Sequence, residues 1–274
     1  MIHILTIHFV DKWIDIQLDF LKKNIKSPYR VYTKLGENYE EHKDKFYYCV
    51  SGKGFGGKGH AAGLQELRNQ LRHEDVDKND IILVLDSDAF PIAPIDDYLE
   101  NKLENYEFLA ISEPNHNFRK TPIQPFECFY AFRYEFFNKY DFWFKFKPGV
   151  HANWIDWMID WFKDKKIEWY PLNRSNKVNL HPLYYAVYDK IIYHHWCGTR
   201  FPIISRPDRV MGQRKGISIE KISQVNKKNS EKVINQIKNQ SEQFLAYLMG
   251  EYDGELENDE NKNINKINGK RLWE

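Results

Sequence analysis

The stretch Ile81-Ile82-Leu83-Val84-Leu85-Asp86-Ser87-Asp88 decides the fold class of this chain. Five consecutive aliphatic residues are typical of a strand that is buried on both faces of a parallel sheet. Two carboxylates follow this run, so Asp86 and Asp88 belong at the carboxyl end of the strand. In an open α/β sheet, ligands bind in the crevice beyond the carboxyl ends of the strands. The stretch therefore predicts both a buried strand and a ligand site at its end.

Strand-like and helix-like patterns alternate on the amino-terminal side of this stretch. Residues 2–9 are short, apolar and rich in β-forming side chains, and the next segment repeats apolar residues at helical spacing. Further β-like runs at 30–33 and 46–50 precede a glycine-rich run at 52–59, which predicts a flexible loop before a second helix. Such alternation implies right-handed βαβ units. We therefore expect an α/β fold with an open mixed sheet flanked by helices and a Rossmann-like nucleotide-binding half.

The distribution of charge predicts three regions along the chain. From residue 206 to 238, nine Lys or Arg stand against three acids, and the second half of this segment has helical spacing. The residues after Gly250 are polar and rich in Asn. We therefore predict a main α/β domain at 1–205, a basic and partly helical carboxyl-terminal extension at 206–250, and a polar, flexible tail at 251–274.

The composition is that of a globular protein. The chain has 274 residues, of which 42% are hydrophobic and 16% aromatic, so it is long enough for a packed core. Its 40 Lys and Arg nearly balance 39 Asp and Glu, whereas a generic nucleic-acid binder carries a strong basic excess. The aliphatic run at 81–85 is far shorter than the roughly 18 residues of a membrane span. We expect neither a nucleic-acid partner nor a span.

The first residues and the cysteines indicate the cellular compartment. The first residues carry no basic region of the kind that opens a signal peptide. Cys49, Cys128 and Cys197 are scattered and odd in number, which favours a reducing compartment over a disulfide framework. We therefore expect a cytoplasmic protein, with the basic extension offering peripheral contact to anionic lipid at the inner face of a membrane.

The residues best suited to metal binding are two carboxylates and two histidines. Asp86 and Asp88 supply hard oxygen ligands of the kind that hold Mg²⁺ or Mn²⁺ bridged to phosphates. His194 and His195 follow a second apolar run, and neutral imidazole suits Mn²⁺ or Zn²⁺. Either histidine could join the carboxylates, and the alternative of one packed histidine and one surface histidine stays open.

Two cationic residues are candidates for binding an anion. Arg200 can grip a phosphate through two parallel hydrogen bonds, and Gly198 allows close backbone approach. The glycine-rich run places Lys58 just before a helix amino terminus, which favours anions. Its spacing fits a P-loop, but Gly59 stands where a Ser or Thr hydroxyl must hold Mg²⁺, so we reject a Walker NTPase.

Taken together, these motifs resemble a GT-A glycosyltransferase of the bacterial type. The resemblance rests on the run Gly54–Leu64, the D-x-D strand Ile82–Pro91 and the late segment Tyr193-His194-His195 with Gly198 and Arg200. It covers about residues 2–204. The resemblance implies a GT-A-like fold and transfer of a sugar from a nucleoside-diphosphate sugar to a glycan or lipid-linked acceptor. A UDP-sugar is the first candidate donor and a GDP-sugar the second.

The resemblance also assigns roles around the metal and the diphosphate. Asp88 would coordinate Mn²⁺ or Mg²⁺ directly, and Asp86 would touch both the nucleotide ribose and the metal. His195, or His194 in its place, would complete the metal shell. Lys58 and Arg200 would neutralise the diphosphate.

At the end of the first strand, Thr6 and His8 match the place where such enzymes hold the nucleobase. Departure of a nucleoside diphosphate builds negative charge that a divalent ion, Arg and Lys stabilise. An inverting reaction also needs a carboxylate base, for which Glu113 and Asp156 are candidates beside the metal ligand Asp88. A retaining reaction needs no such base. Trp196 and Cys197 stand where the family pattern has small residues.

Two other functions fit parts of the same sequence. A haloacid-dehalogenase-type phosphatase also has a strand that ends in D-x-D, but there the motif stands on the first strand. A non-catalytic sugar- or nucleotide-binding module would use the aromatic residues for recognition and the acids for a structural ion. Turnover of a nucleotide sugar with Mn²⁺ separates the glycosyltransferase from both. The sequence leaves the donor sugar, the linkage and the oligomeric state open.

Overall fold

The chain forms two compact units, Met1–Asn173 and Arg174–Glu274. The first unit therefore ends earlier than residue 205, where the charge pattern predicts a boundary. The computed structural model describes residues 1–52, 56–112, 125–144, 158–199, 202–252, 254, 256, 266–267 and 270–271. Within these residues, no helix combines the length and apolarity that crossing a membrane requires.

The first unit alternates strands and helices. Its strands are β1 (Ile2–His8), β2 (Tyr29–Leu35), β3 (Tyr48–Ser51), β4 (Ile81–Asp86), β5 (Ala89–Pro91), β6 (Phe108–Ser112), β7 (Pro125–Arg133) and β8 (Trp169–Leu172). Its helices are α1 (Ile14–Asn24), α2 (Tyr39–His42), α3 (Gly56–Leu71), α4 (Asp96–Leu103), α5 (Glu135–Lys139) and α6 (Met158–Lys165), with short 3₁₀ turns at Asp11–Trp13 and Lys43–Lys45.

Seven of these strands form one mixed sheet in the order β3-β2-β1-β4-β7-β6-β8. The first four strands in that order run parallel to one another. β7 lies antiparallel to both β4 and β6, and β8 is parallel to β6. The α/β class with an open mixed sheet, expected from the sequence, is confirmed.

The predicted central strand is β4, and it lies in the middle of the sheet. Residues 81–85 are all buried, and the strand pairs with β1 on one edge and with β7 on the other. The register pairs Ile7 of β1 with Asp86, so the carboxyl ends of the two strands meet at the same edge. In an open sheet with helices on both faces, ligands bind at this edge.

The glycine-rich segment forms less loop than its composition predicts. α3 begins at Gly56, so the prediction of a loop through Gly59 is wrong from that residue onward. Further along α3, a Cβ atom on Gly63 would lie 2.5 Å from Cδ1 of Ile7 on β1. Small residues on this face let the helix pack directly onto the strand that borders the predicted ligand edge.

Much of the aromatic content fills the core beside β6 and β7. Phe108 and Phe132 stack with ring centroids 5.2 Å apart, and Phe136 and Phe142 pack against both. Trp161 of α6 contacts the same cluster at 5.5 Å from Phe142.

The second unit holds short strands followed by two helices. Its elements are β9 (Ala186–Tyr188), β10 (Ile192–His194), α7 (Arg206–Lys215), α8 (Ile219–Met249), β11 (Lys266–Ile267) and β12 (Lys270–Arg271). β9 and β10 pair antiparallel, as do β11 and β12. The basic segment after residue 206 is helical in both halves, and the region expected to be a flexible tail contains the β11–β12 pair.

Candidate functional site

The end of β4 brings the two predicted carboxylates together. Asp86 is the last residue of β4, and a turn through Ser87 and Asp88 leads into β5. One ligand oxygen of Asp86 lies within 4.8 Å of one of Asp88, a separation that a single divalent ion can span. The Asp86 side chain is 25% exposed, whereas Asp88 is only 4% exposed. The site is therefore a partly open carboxylate pair.

A buried amide on α1 holds the backbone of this turn. Nε2 of Gln17 donates hydrogen bonds to the carbonyl oxygens of Asp86 and Ala89, both at 2.8 Å. These carbonyls lie on either side of the Ser87-Asp88 turn. Because buried backbone carbonyls need hydrogen-bond donors, Gln17 fixes the two ends of the carboxylate-bearing segment to a helix.

The same side chain contacts His8 at the end of β1. Nε2 of His8 lies 3.1 Å from Oε1 of Gln17. Both amide protons of Gln17 are used by the turn, so Oε1 is the acceptor and His8 carries its proton on Nε2. Nδ1 of His8 has no hydrogen-bond partner among the described residues. Burial lowers the pKa of His8 to about 4, against the opposing effect of Gln17, so the ring is neutral at pH 7.

A second histidine approaches Asp86 from α3. His60 is in the first two turns of that helix, and its Nε2 lies 3.2 Å from Oδ1 of Asp86. The close packing of α3 on β1 at Gly63 brings the ring to this position. His60 therefore orients one oxygen of the carboxylate, in the way that outer-shell partners orient metal ligands. The sequence indicated only that His60 stands near a helix start.

Thr6 and His8 lie where the resemblance places nucleobase contacts, but both are buried. Thr6 is 0% exposed and His8 is 1% exposed. They share one face of β1, because alternate residues of a strand point the same way. The ring of Phe46 lies 5.9 Å from that of His8 on this side. Both side chains therefore lie in the protein interior and do not line an open surface.

The two predicted histidines of the second unit differ in their surroundings. His195 is fully buried, with Nδ1 3.0 Å from the Tyr193 hydroxyl and Nε2 2.8 Å from Oγ of Ser230. Both of its ring nitrogens are therefore already hydrogen-bonded. His194 is the last residue of β10, and its ring lies 4.6 Å from that of Trp196. Of the two, His195 has the arrangement of a structural residue.

The residues after these histidines adopt an unusual backbone. Trp196 and Cys197 have φ angles of 63° and 54°. Positive φ is rare for residues that carry a Cβ and costs of order 1–3 kcal/mol. Glycine would adopt these angles without this cost. Strained backbone of this kind is concentrated at functional sites.

The structure describes only some of the remaining predicted site residues. Glu113, Asp156 and Arg200 lie outside the described residues. Lys58 is in the first turn of α3, and only its backbone position is described. Of the predicted site residues, the structure therefore brings together Asp86 and Asp88. Sequence reasoning missed Gln17 and the role of His60.

A second acid–histidine pair lies in the other unit. Nε2 of His181 is 3.2 Å from Oδ1 of Asp208, and both side chains are 0% exposed. Nδ1 of His181 accepts hydrogen bonds from the backbone of Leu183 and Tyr184, each at 3.0 Å. Oδ2 of Asp208 accepts from the Tyr184 hydroxyl, from the Ser205 backbone and from Asn226. This pair is saturated with protein partners and caps α7.

Comparison with known proteins gives structural similarities at low identity. No protein-family model and no curated protein matches the sequence. S. aureus TarS aligns with a TM-score of 0.37 and 13% identity over 52% of this chain and 30% of that chain. The glycosyltransferase GlyE of Streptococcus pneumoniae TIGR4 aligns with a TM-score of 0.45 and 13% identity over 81% of this chain and 62% of that chain.

A 4-diphosphocytidyl-2C-methyl-D-erythritol synthase aligns with a TM-score of 0.39 and 10% identity, over 63% of this chain and 88% of that chain. This chain thus spans less than two thirds of TarS and of GlyE. Each TM-score lies below 0.5, so these similarities assign neither an activity nor a site residue to the chain. Evidence for the function of the chain must therefore come from its own residues.

Proposed function

We propose that this protein is a metal-dependent glycosyltransferase of the GT-A type. It moves a sugar from a nucleoside-diphosphate sugar to a glycan or lipid-linked acceptor. A UDP-sugar is the first candidate donor, and a GDP-sugar is the second. The observation that carries the proposal is the pair of carboxylates at the carboxyl end of β4, with ligand oxygens of Asp86 and Asp88 within 4.8 Å. A central strand that ends in two carboxylates at a ligand edge suits a cation that is shared with phosphates.

The donor set fits Mn²⁺ or Mg²⁺. Two carboxylates suit either ion, and an imidazole ligand favours Mn²⁺. Of the two histidines expected to complete the shell, we assign His194, since hydrogen bonds already occupy both ring nitrogens of His195. His60 would hold one oxygen of Asp86 and leave the other to be the ligand.

The bound ion would stabilise the negative charge that develops on the departing nucleoside diphosphate. Lys58 and Arg200 are assigned to the same diphosphate on the basis of the resemblance and their charge. For an inverting reaction, Glu113 and Asp156 remain the candidate bases. Thr6 and His8 remain the candidates for the nucleobase end of the site on the basis of the resemblance, and both side chains are buried.

The test is turnover of UDP- and GDP-sugars, with hydrolysis to the free sugar as the readout while the acceptor is unidentified. Wild-type protein is assayed with Mn²⁺, with Mg²⁺ and with a chelator. Asp88→Asn removes the direct ligand, and Asp164→Asn is the matched control, because Asp164 is an exposed residue of α6. We expect turnover that requires the ion, is lost in Asp88→Asn and is retained in Asp164→Asn.

Other results would favour the competing functions. Hydrolysis of a phosphomonoester without turnover of any nucleotide sugar would favour the phosphatase. Binding of a nucleotide sugar without turnover would favour the binding module. Either result would contradict the proposed transferase.

A further inference from the structure

The carboxamide of Gln17 makes its three described hydrogen bonds at one place. Its two amide protons go to the carbonyls of Asp86 and Ala89, and its oxygen accepts from His8. The side chain is completely buried. It therefore contacts the carboxylate-bearing turn from within the protein and is closed to any ligand.

The three partners fix one orientation for each group. If the carboxamide were rotated by half a turn, its oxygen would face two carbonyl oxygens, which repel it. The Nε2 proton of His8 opposes that rotation, because it needs an acceptor on the His8 side. A chain of hydrogen bonds thus runs from His8 through Gln17 to both ends of the turn.

We propose that Gln17 and His8 are positioning residues that preorganise the carboxylates of Asp86 and Asp88 for a divalent cation. This inference rests on the proposed function. Asp86 ends β4 and Ala89 begins β5, so Ser87 and Asp88 lie in the turn between the two strands. Anchoring both carbonyls to one side chain of α1 keeps the two carboxylates at a separation that one ion can span. Outer-shell partners of this kind typically contribute 10–100-fold to metal affinity.

A second buried amide on the same helix provides the matched control. Asn24 lies seven residues after Gln17, on the same face of α1, and its Nδ2 donates to the carbonyl of Pro91 at 2.8 Å. It thus also holds the chain after β4, but beyond the turn, and it contacts neither Asp86 nor His8 in the hydrogen bonds described. Loss of either amide leaves buried carbonyls without a donor and lowers stability.

The experiment measures Mn²⁺ affinity directly, by the electron paramagnetic resonance signal of the free ion. It compares wild type, Asp88→Asn, Gln17→Met and Asn24→Leu well below their melting temperatures. We expect Gln17→Met to weaken Mn²⁺ binding about tenfold or more. Asn24→Leu should stay within about twofold of wild type, although both variants melt earlier.

A second measurement tests the hydrogen-bond chain without any metal. Nitrogen-15 NMR of the His8 ring should show a protonated Nε2 and an unprotonated Nδ1 in wild type. Gln17→Met removes the acceptor, so the ring should shift towards a mixture of tautomers. An Nδ1-protonated ring in wild type would overturn the arrangement.

The outcomes separate this inference from the proposed function. If wild type binds no Mn²⁺, the proposed function fails. If wild type binds Mn²⁺ and Asp88→Asn does not, while Gln17→Met binds as tightly as Asn24→Leu, the positioning role alone fails. If Gln17→Met does not fold, His8→Phe tests the same chain, because it removes the Nε2 proton and leaves the two carbonyl contacts of Gln17 in place.

Discussion

The two acid–histidine regions, one in each unit, contain similar residues but differ in how far their carboxylates are exposed to solvent. In the second unit, Asp208 and His181 are fully buried, and protein donors and acceptors occupy both ring nitrogens and both carboxylate oxygens. In the first unit, Asp86 is one-quarter exposed, and a second carboxylate stands within 4.8 Å of it.

The difference separates a structural network from the candidate ligand site. Asp208 receives a hydrogen bond from His181 and caps α7 together with Ser205. Such a group has no bonding capacity left for a substrate. Two neighbouring carboxylates repel each other, and a cation between them relieves that repulsion. The residue types alone do not distinguish the regions, whereas the exposure of the side chains does: Asp86 is 25% exposed and Asp208 is 0% exposed.

Exchanging Asp88 for Asn should have the largest effect on activity. We expect turnover to fall roughly 1,000-fold, because a metal ion contributes several kcal/mol of transition-state stabilisation and each 1.4 kcal/mol is a factor of ten. Stability in metal-free buffer should stay equal or rise, since one of two repelling charges is removed. Steady-state kinetics and urea unfolding check the two parts. A folded variant with wild-type turnover would contradict the comparison.

The matching exchange in the second unit, Asp208→Ala, should lower stability. The donors of His181, Tyr184 and Ser205 would lose their acceptor in a buried place. We expect a loss of about 3 kcal/mol in the free energy of unfolding, measured by urea titration. A loss below about 1 kcal/mol would mean that this network is not the structural element described here.

The acid–histidine pair of the second unit should also make the protein less stable in acid. Burial holds the pKa of His181 below its usual value, against the opposing hydrogen bond from Asp208. Burial opposes ionisation of Asp208, but hydrogen bonds from His181 and Ser205 outweigh it and keep its pKa low. The unfolded chain therefore binds more protons, and stability should fall as the pH drops below about 6.5 for the histidine and below about 3.9 for the acid.

Urea unfolding between pH 7.5 and 5 measures this slope. His181→Gln should flatten it compared with wild type, while His3 and His8, whose pKa values burial also lowers, keep part of the slope in both proteins. An unchanged slope in His181→Gln would show that this ring does not titrate as described.

The smallest expected effect concerns the strained backbone after His194. Cys197 has a φ of 54°, so Cys197→Gly should raise the free energy of unfolding by up to about 1 kcal/mol as strain is relieved. Cys49→Gly is the control, because Cys49 is similarly half-buried but lies within the extended strand β3. There glycine should lower stability. Equal losses at both positions would argue against strain at Cys197.

The sequence predicts the central strand and its carboxylates because both depend on local pattern. Five aliphatic residues before Asp86 suffice to place a buried strand, and strand direction then places the acids at the ligand edge. The helices of the basic extension follow from spacing in the same way. Both predictions are confirmed because each depends only on residues that are close together in the sequence.

Other features depend on contacts between distant residues, which periodicity does not encode. Gln17 contacts Asp86 across 69 positions of the chain. In the sequence, a glutamine that is buried on a helix cannot be told apart from one on its exposed face. One signal was present: Gln17 and Asn24 lie on the same face of α1 as buried Leu21. An amide within an apolar face indicates that buried backbone needs a donor. The extra turn of α3 at Gly56 was missed because glycine is read as loop.

The most direct test of the central claim is the thermal stability of the protein with UDP and GDP, with and without Mn²⁺, in wild type and Asp88→Ala. A ligand that binds only the native state raises the melting temperature. We predict a shift that needs both nucleotide and Mn²⁺ in wild type and is absent in Asp88→Ala. A folded wild-type protein that no nucleotide stabilises, with or without Mn²⁺, would contradict the account.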